Sequence, residues 1–176
     1  TFTMVQLASA TATIASGGRK FAPRVVRATQ DALTHAQTAT TAAEPVDLGY
    51  APEHIAVVRN GLVGVVTSGT SAQVFAGAGY QSAGKTGTAQ AVTIGQKDKY
   101  NAAKLAEYQR DHALYMAYAP ADAPKIALAV VVENAGFGAA SAAPIARRVF
   151  DYWLLGQYPS EEDMAATQKG QSGRPI

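Results

Sequence analysis

The sequence contains no cysteine. That absence removes disulfides, thiolate nucleophiles and Cys-ligated zinc together, and leaves the compartment open. Charge is scarce too: 15 Lys and Arg stand against 13 Asp and Glu, a formal net charge of +2. So small a bias, with no basic run, does not make the phosphate-tracking patch of a nucleic-acid binder. The histidines, His35, His54 and His112, have no metal-ligand spacing, and nothing calls for a cofactor. Long apolar runs are missing; the longest, residues 126–132, falls far short of the roughly 20 residues that span a bilayer. No signal-peptide pattern is visible. The chain opens on Thr1, and its first helix begins almost at once, which reads as a piece cut or matured from something larger. What is present is a chain of 176 residues, 48% hydrophobic and rich in Ala, long enough for one domain with a real core.

Thr3-Met4-Val5-Gln6 fits a capping box, in which Thr and Gln exchange hydrogen bonds with first-turn amides. Met4, Leu7, Ala8, Thr11 and Ile14 follow at helical spacing, and Gly17-Gly18 supplies a stop. The spacing predicts a helix over 3–16. Residues 19–49 read as an irregular excursion, with a short strand at Pro23-Arg24-Val25-Val26-Arg27. Pro52 suits the first turn of a second helix, with Ile55, Val58, Leu62 and Val65 inward and Gly69 ending it. Residues 82–93 favour an extended backbone. A short helix is expected over 101–110, with Leu105 and Tyr108 inward. Residues 113–119 alternate, with Leu114, Met116 and Tyr118 on one face. After a turn at 120–124, residues 125–133 form the near-continuous apolar run of a strand buried on both faces. The pair reads as an antiparallel hairpin. Ser141 is expected to cap a last helix with Pro144 in its first turn, and Ile145, Val149, Tyr152 and Trp153 to form its buried stripe. The rest is a polar tail.

One stretch carries chemistry: Gly79-Tyr80-Gln81-Ser82-Ala83-Gly84-Lys85-Thr86-Gly87-Thr88-Ala89-Gln90. Residues 79–86 spell the phosphate-loop pattern G-x-x-x-x-G-K-T, and the strand ending at Glu133 imitates a magnesium-positioning acid. A nucleotide-binding domain of that kind needs a helix starting at Lys85. Glycine and β-branched residues after Lys85 oppose one. Ser82-Ala83-Gly84-Lys85 spells S-x-x-K, a serine activated by lysine one helical turn on, and fails for the same reason. The third reading is the K-T-G strand of acyl-transfer enzymes. An extended backbone puts Thr86 and Thr88 on one face. Lys85 adds a positive charge, which strengthens bonds to a carboxylate about twofold. Gly87 lets another element approach closely. A turn and strand with a solvent-facing lysine is the plain alternative.

Residues 84–90 do not stand alone. Asp111-His112-Ala113 through Ala119-Pro120, the run from Lys125 to Asn134, and residues 141–153 with Ala143-Pro144-Ile145-Ala146-Arg147 follow in order. Together with Tyr100-Asn101-Ala102, Arg110-Asp111-His112 and residues 134–138, they resemble class B penicillin-binding proteins, and among these the elongation-specific branch. The likeness runs from about Thr1 to Gln157. It implies an α/β (α+β) fold of the penicillin-binding transpeptidase and serine β-lactamase type, here three consecutive antiparallel strands flanked by helices. Residues 1–156 would be the C-terminal part of the transpeptidase domain and 157–176 a tail. The implied activity is peptidoglycan D,D-transpeptidation, in which a serine attacks a D-Ala-D-Ala stem peptide and β-lactams acylate the same serine. Lys85 and Thr88 would be catalytic, Thr88 through its amide as an oxyanion donor. Lys85, Thr86, Gly87 and Thr88 would bind substrate. The site implies no cofactor and no metal.

The resemblance also demands an S-x-x-K helix and an S-x-N or S-x-D loop, and neither occurs here outside the Ser82 pattern. The chain therefore reads as the C-terminal third of the enzyme and as inactive by itself. Implied partners are the stem peptide, β-lactams, the N-terminal part of the same enzyme and a membrane glycan polymerase of the elongation machinery. The implied location is the periplasmic face of the bacterial inner membrane. The last strand's open edge would be an aggregation hazard. A D,D-carboxypeptidase or β-lactamase shares the strand motif, and an interaction domain that lost its chemistry would keep the fold. Of the remaining polar and aromatic residues, His112 is expected to be structural or at the rim. Asp111 and Glu133 lack a paired carboxylate. Tyr115 and Tyr118 are expected to pack on opposite faces, and Lys97-Asp98-Lys99 to be a solvated loop.

Overall fold

The computed structural model describes residues 2–92, 105–161 and 164–165. Helix α1 spans Met4–Ala15, and both halves of the capping box form: the Thr3 hydroxyl accepts from Gln6 N, and the Gln6 side chain accepts from Thr3 N. Its buried face carries Thr11, Thr13 and Ala15. The two threonines tolerate burial because their hydroxyls donate to Leu7 O and Ser9 O, each at 2.8 Å.

Residues 19–47 contain more strand than the sequence suggested, and in other places. Strand β1 (Arg19–Lys20) pairs with β4 (Val46–Asp47), and β2 (Ala28–Gln30) pairs with β3 (Gln37–Ala39), both antiparallel. Residues 23–27 lie in none of them. The turn after β2 decides the register. Asp31 Oδ1 accepts from Leu33 N and Thr34 N, an Asx-type turn directly after β2 that helps close the hairpin.

Helix α2 is Pro52–Thr67, with Pro52 in its first turn. Leu62 is buried as expected and Val66 joins it, while Ile55 and Val65 are half-buried and Val58 is exposed. A short helix α3 (Ala72–Phe75) follows. The sheet that organises the fold is β5 (Ala83–Ala89), β6 (His112–Ala119) and β7 (Ile126–Val132), antiparallel in that order. Strand β7 is half-buried rather than buried on both faces, because among the described residues no strand pairs with its outer edge. Among the described residues between β5 and β6 there is a 3-10 turn at Glu107–Gln109, and Tyr108 points outward. Residues 101–104 of the expected helix and Lys97-Asp98-Lys99 lie outside the described residues.

Helix α4 runs Gly138–Leu155 and stops at Gly156 in the left-handed region. Phe137 is its N-cap. Ser141 sits inside the helix and donates to Ala135 O at 2.8 Å, and Pro144 lies well past the first turn. The buried stripe is Ala142, Ala143, Ala146, Arg147 and Phe150, whereas Ile145, Val149, Tyr152 and Trp153 face outward. Small residues win this face because the helix lies close against the sheet. A Cβ on Gly138 would come within 2.7 Å of Gly87 O.

The sheet is covered on both faces. Tyr115 and Ala117 pack with Phe75, Ala143 and Phe150 on the α4 side. Tyr118 and Ala83 pack with Ala15 and Leu62 on the α1–α2 side. The two tyrosines thus occupy opposite faces, as the alternation of β6 requires.

Candidate active site

Lys85, Thr86, Gly87 and Thr88 all lie inside β5, paired with Met116, Tyr115, Leu114 and Ala113 of β6. No helix begins at Lys85. The phosphate-loop reading fails on that point, since its amides cannot converge on a phosphate. The S-x-x-K reading fails likewise: Ser82 is buried and precedes a strand, so no helical turn brings its hydroxyl to Lys85.

Strand alternation puts Thr86 and Thr88 on one face, with Lys85 and Gly87 on the other. The lysine still reaches the same edge. Its Nζ folds over the strand and donates to Thr86 O at 2.7 Å. In an antiparallel ladder each residue turns its N–H and C=O to one side, and residues two apart share that side. The Thr88 N–H therefore lies on the same edge of β5 as the Thr86 carbonyl. That edge carries the Thr86 and Thr88 N–H groups, with the two hydroxyls and the ammonium beside it, and no acidic side chain belongs to the strand.

Glycines make this edge possible. A Cβ at Gly84 would sit 2.5 Å from Tyr115 Oη and 2.7 Å from its ring, because that side chain crosses β5 there. Gly138 lets the start of α4 approach the strand backbone at Gly87, whereas a Cβ on Gly87 itself would meet only Leu114 of the neighbouring strand, at 3.3 Å. At the Thr88 end is a recess of about 320 Å³ lined by Thr88, Arg110, Asn134, Phe137 and Ala140, among others. His112 stands at the start of β6, and its Nδ1 accepts from Asn134 N at 3.0 Å. It is a structural tie between β6 and the turn leading to α4. His35 and His54 are exposed, and among the described residues no cluster of three or more potential metal ligands forms.

Sequence reasoning missed the groups that hold β5 from the side. Thr70 Oγ1 lies 3.0 Å from Thr86 Oγ1. Next to it, Ser71 is fully buried and hydrogen-bonds both Val65 O, at 3.2 Å, and Tyr115 Oη, at 3.0 Å. Burial pushes the Tyr115 phenol up to about 12, so it stays a donor at any ordinary pH. Beyond α3, the chain entering β5 is tied to α4. Arg147 Nε bonds both oxygens of Asp151 at 2.8 Å, and its Nη1 bonds Val74 O at 3.0 Å. Tyr80 Oη donates to Asp151 Oδ1 at 2.7 Å, and burial with the adjacent carboxylate raises the phenol's pKa.

A strand with this motif, in a sheet covered by helices on both faces, defines an acyl-transfer domain of the penicillin-binding type. The chain belongs to the family described as penicillin binding protein transpeptidase domain, whose model matches residues 1–151. It is 44% identical to the peptidoglycan D,D-transpeptidase MrdA of Acinetobacter baumannii over 88% of its length, but spans 23% of that protein. The fold is similar to Pseudomonas aeruginosa PBP2 in complex with WCK 5153, at 32% identity and a TM-score of 0.68, covering 91% of this chain and 32% of that one. It is also similar to the imipenem acyl-enzyme complex of penicillin-binding protein A from M. tuberculosis, at 34% identity and a TM-score of 0.66, covering 87% of this chain and 31% of that one. The chain thus spans about a quarter of the curated relative and a third of the solved chains it matches.

Proposed function

We propose that this chain supplies the carboxylate-binding and oxyanion strand of a peptidoglycan D,D-transpeptidase whose nucleophile lies in another part of the same enzyme. The observation that carries the reading is the extended backbone through residues 85–88. It gathers the Thr86 and Thr88 hydroxyls, the Thr88 N–H and the Lys85 ammonium on one edge. Such an edge suits a substrate with a terminal carboxylate next to the carbonyl under attack. Thr86 and Thr88 hold the carboxylate of a D-Ala-D-Ala stem peptide or of a β-lactam. The Thr88 N–H receives the oxyanion as a serine attacks, where one such donor typically contributes about 10²–10³ in rate. Lys85 leaves its carbonyl partner and provides positive potential over the incoming anion. The stem peptide's D-Ala then departs, and an amine of a neighbouring strand takes the acyl group.

The relatives' names support transpeptidation rather than D,D-carboxypeptidation or β-lactam hydrolysis, and they support β-lactams as ligands. The open edge of β7 suits a strand from the rest of the enzyme. Residues 1–156 form the C-terminal part of the catalytic domain, with 157–176 as a tail. We place the whole protein at the periplasmic face of the inner membrane, working beside a membrane glycan polymerase. No described helix is long and apolar enough to cross a membrane.

Labelling with a fluorescent penicillin tests this. The longer enzyme that includes this chain is expected to carry the label through denaturing electrophoresis, and the 176-residue chain is expected to remain unlabelled. A labelled isolated chain would place the nucleophile here; an unlabelled enzyme would remove the proposed activity.

A further inference from the structure

We propose that Thr70, outside the K-T-G motif, is a positioning residue that sets the hydrogen-bond direction of Thr86 and thereby the enzyme's selectivity for a carboxylate. The inference rests on the carboxylate-binding role of β5 proposed above.

A hydroxyl has one proton. To bind an anion, Thr86 must donate that proton to it. The 3.0 Å contact with Thr70 Oγ1 then works only one way, with Thr70 donating and Thr86 accepting. If Thr86 donated to Thr70 instead, it would turn a lone pair towards the carboxylate and repel it. A neighbouring hydroxyl that donates to Thr86 favours the productive direction. It also makes the Thr86 proton more acidic through the hydrogen-bond chain.

The position of Thr70 is held from its neighbour. Ser71 Oγ donates to the Val65 carbonyl, which can only accept, and therefore accepts from Tyr115 Oη. Tyr115 is the β6 residue directly opposite Thr86. A closed circuit of neighbours results: Thr86 lies opposite Tyr115 in the ladder register, Tyr115 bonds Ser71, Ser71 is covalently joined to Thr70, and Thr70 returns to Thr86. Two glycines admit it. A Cβ at Gly69 would lie 2.7 Å from Val65 Cα, so the tight turn after α2 needs glycine, and Gly84 makes room for the Tyr115 side chain. Because the circuit closes on the motif threonine itself, the geometry points to more than a surface contact.

The test uses the longer, nucleophile-containing enzyme and two probes, benzylpenicillin with its free carboxylate and its methyl ester. The second-order acylation rate is measured for wild type, Thr70→Val, Thr70→Ser and Thr86→Val, with Thr70→Ala in reserve should Thr70→Val fold poorly. Thr70→Val is expected to slow the acid about 5- to 10-fold, the effect of one lost hydrogen bond, with under twofold effect on the ester. Thr70→Ser should restore the acid rate. The double variant with Thr86→Val should be no worse than Thr86→Val alone. Equal losses on acid and ester for Thr70→Val would overturn the inference as a structural effect. So would an unchanged acid rate while Thr86→Val still loses acid selectivity, which leaves the role of the strand standing. If Thr86→Val itself shows no acid selectivity, the carboxylate-binding reading falls and this inference falls with it.

Discussion

Lys85→Ala in the longer enzyme is expected to slow acylation by benzylpenicillin about 10²–10³-fold, with the thermal midpoint nearly unchanged. The lysine is exposed, and among the described residues its ammonium bonds the carbonyl of the next residue. That bond costs little to exchange, because an exposed amine trades a carbonyl for water or an anion at nearly equal free energy. No packing is lost on truncation, so stability should not move. What is lost is a fixed positive charge beside the one edge where a negative charge must arrive and another must develop. Preorganised charge of this kind is worth most in a site closed to water. A loss below about threefold would show that Lys85 is a solvent-facing side chain on an ordinary strand. Lys85→Arg should recover part of the rate, because it keeps the charge but not the compact ammonium geometry.

Asp151→Ala should produce the largest loss of stability, about 3–5 kcal/mol by chemical denaturation of the intact enzyme. Arg147 and Asp151 have side chains only 10% and 18% exposed, so solvent screens them little. Removing the carboxylate leaves the guanidinium with two backbone carbonyls, Val74 O and Ala76 O, and no counter-charge. An uncompensated buried charge typically carries that penalty. Tyr80 loses its 2.7 Å acceptor at the same time. The double variant Arg147→Met with Asp151→Leu should be far milder, since no charge then stays buried. A single-variant loss under about 1 kcal/mol would mean that water reaches the pair freely. The effect bears on function because residues 74–80 lead straight into β5, so loosening them loosens the strand that carries Lys85.

The parts of the fold that local chemistry dictates were legible in the sequence. Thr3 and Gln6 announced α1, because a capping box uses atoms three residues apart. The glycines and threonines of residues 84–88 argued for a strand, and the order β5, β6, β7 followed from alternation and from the apolar run of β7. Misreadings arose where tertiary contacts outweigh side-chain size. In α4 the large residues Ile145, Val149 and Trp153 lie outward, since the sheet needs alanines at the contact and lets Phe150, Phe75 and Tyr115 fill the volume. Arg147 was invisible as a buried residue because its burial depends on Asp151 one turn later and on carbonyls more than 70 residues earlier in the chain. Thr70 and Ser71 read as loop residues after Gly69. Their role depends on Tyr115, 44 residues beyond Ser71, and no periodicity reports that. The motif strand itself was legible because its conformation is set by its own composition.

The central claim is that β5 presents Thr86 and Thr88 to an anionic terminus, and a structure of the longer enzyme acylated by benzylpenicillin tests it directly. The account predicts drug carboxylate oxygens within about 3 Å of Thr86 Oγ1 and Thr88 Oγ1, the distance of a charge-assisted hydrogen bond, and the acyl carbonyl oxygen at the Thr88 N–H. A drug carboxylate held elsewhere, with both hydroxyls facing solvent, would contradict it.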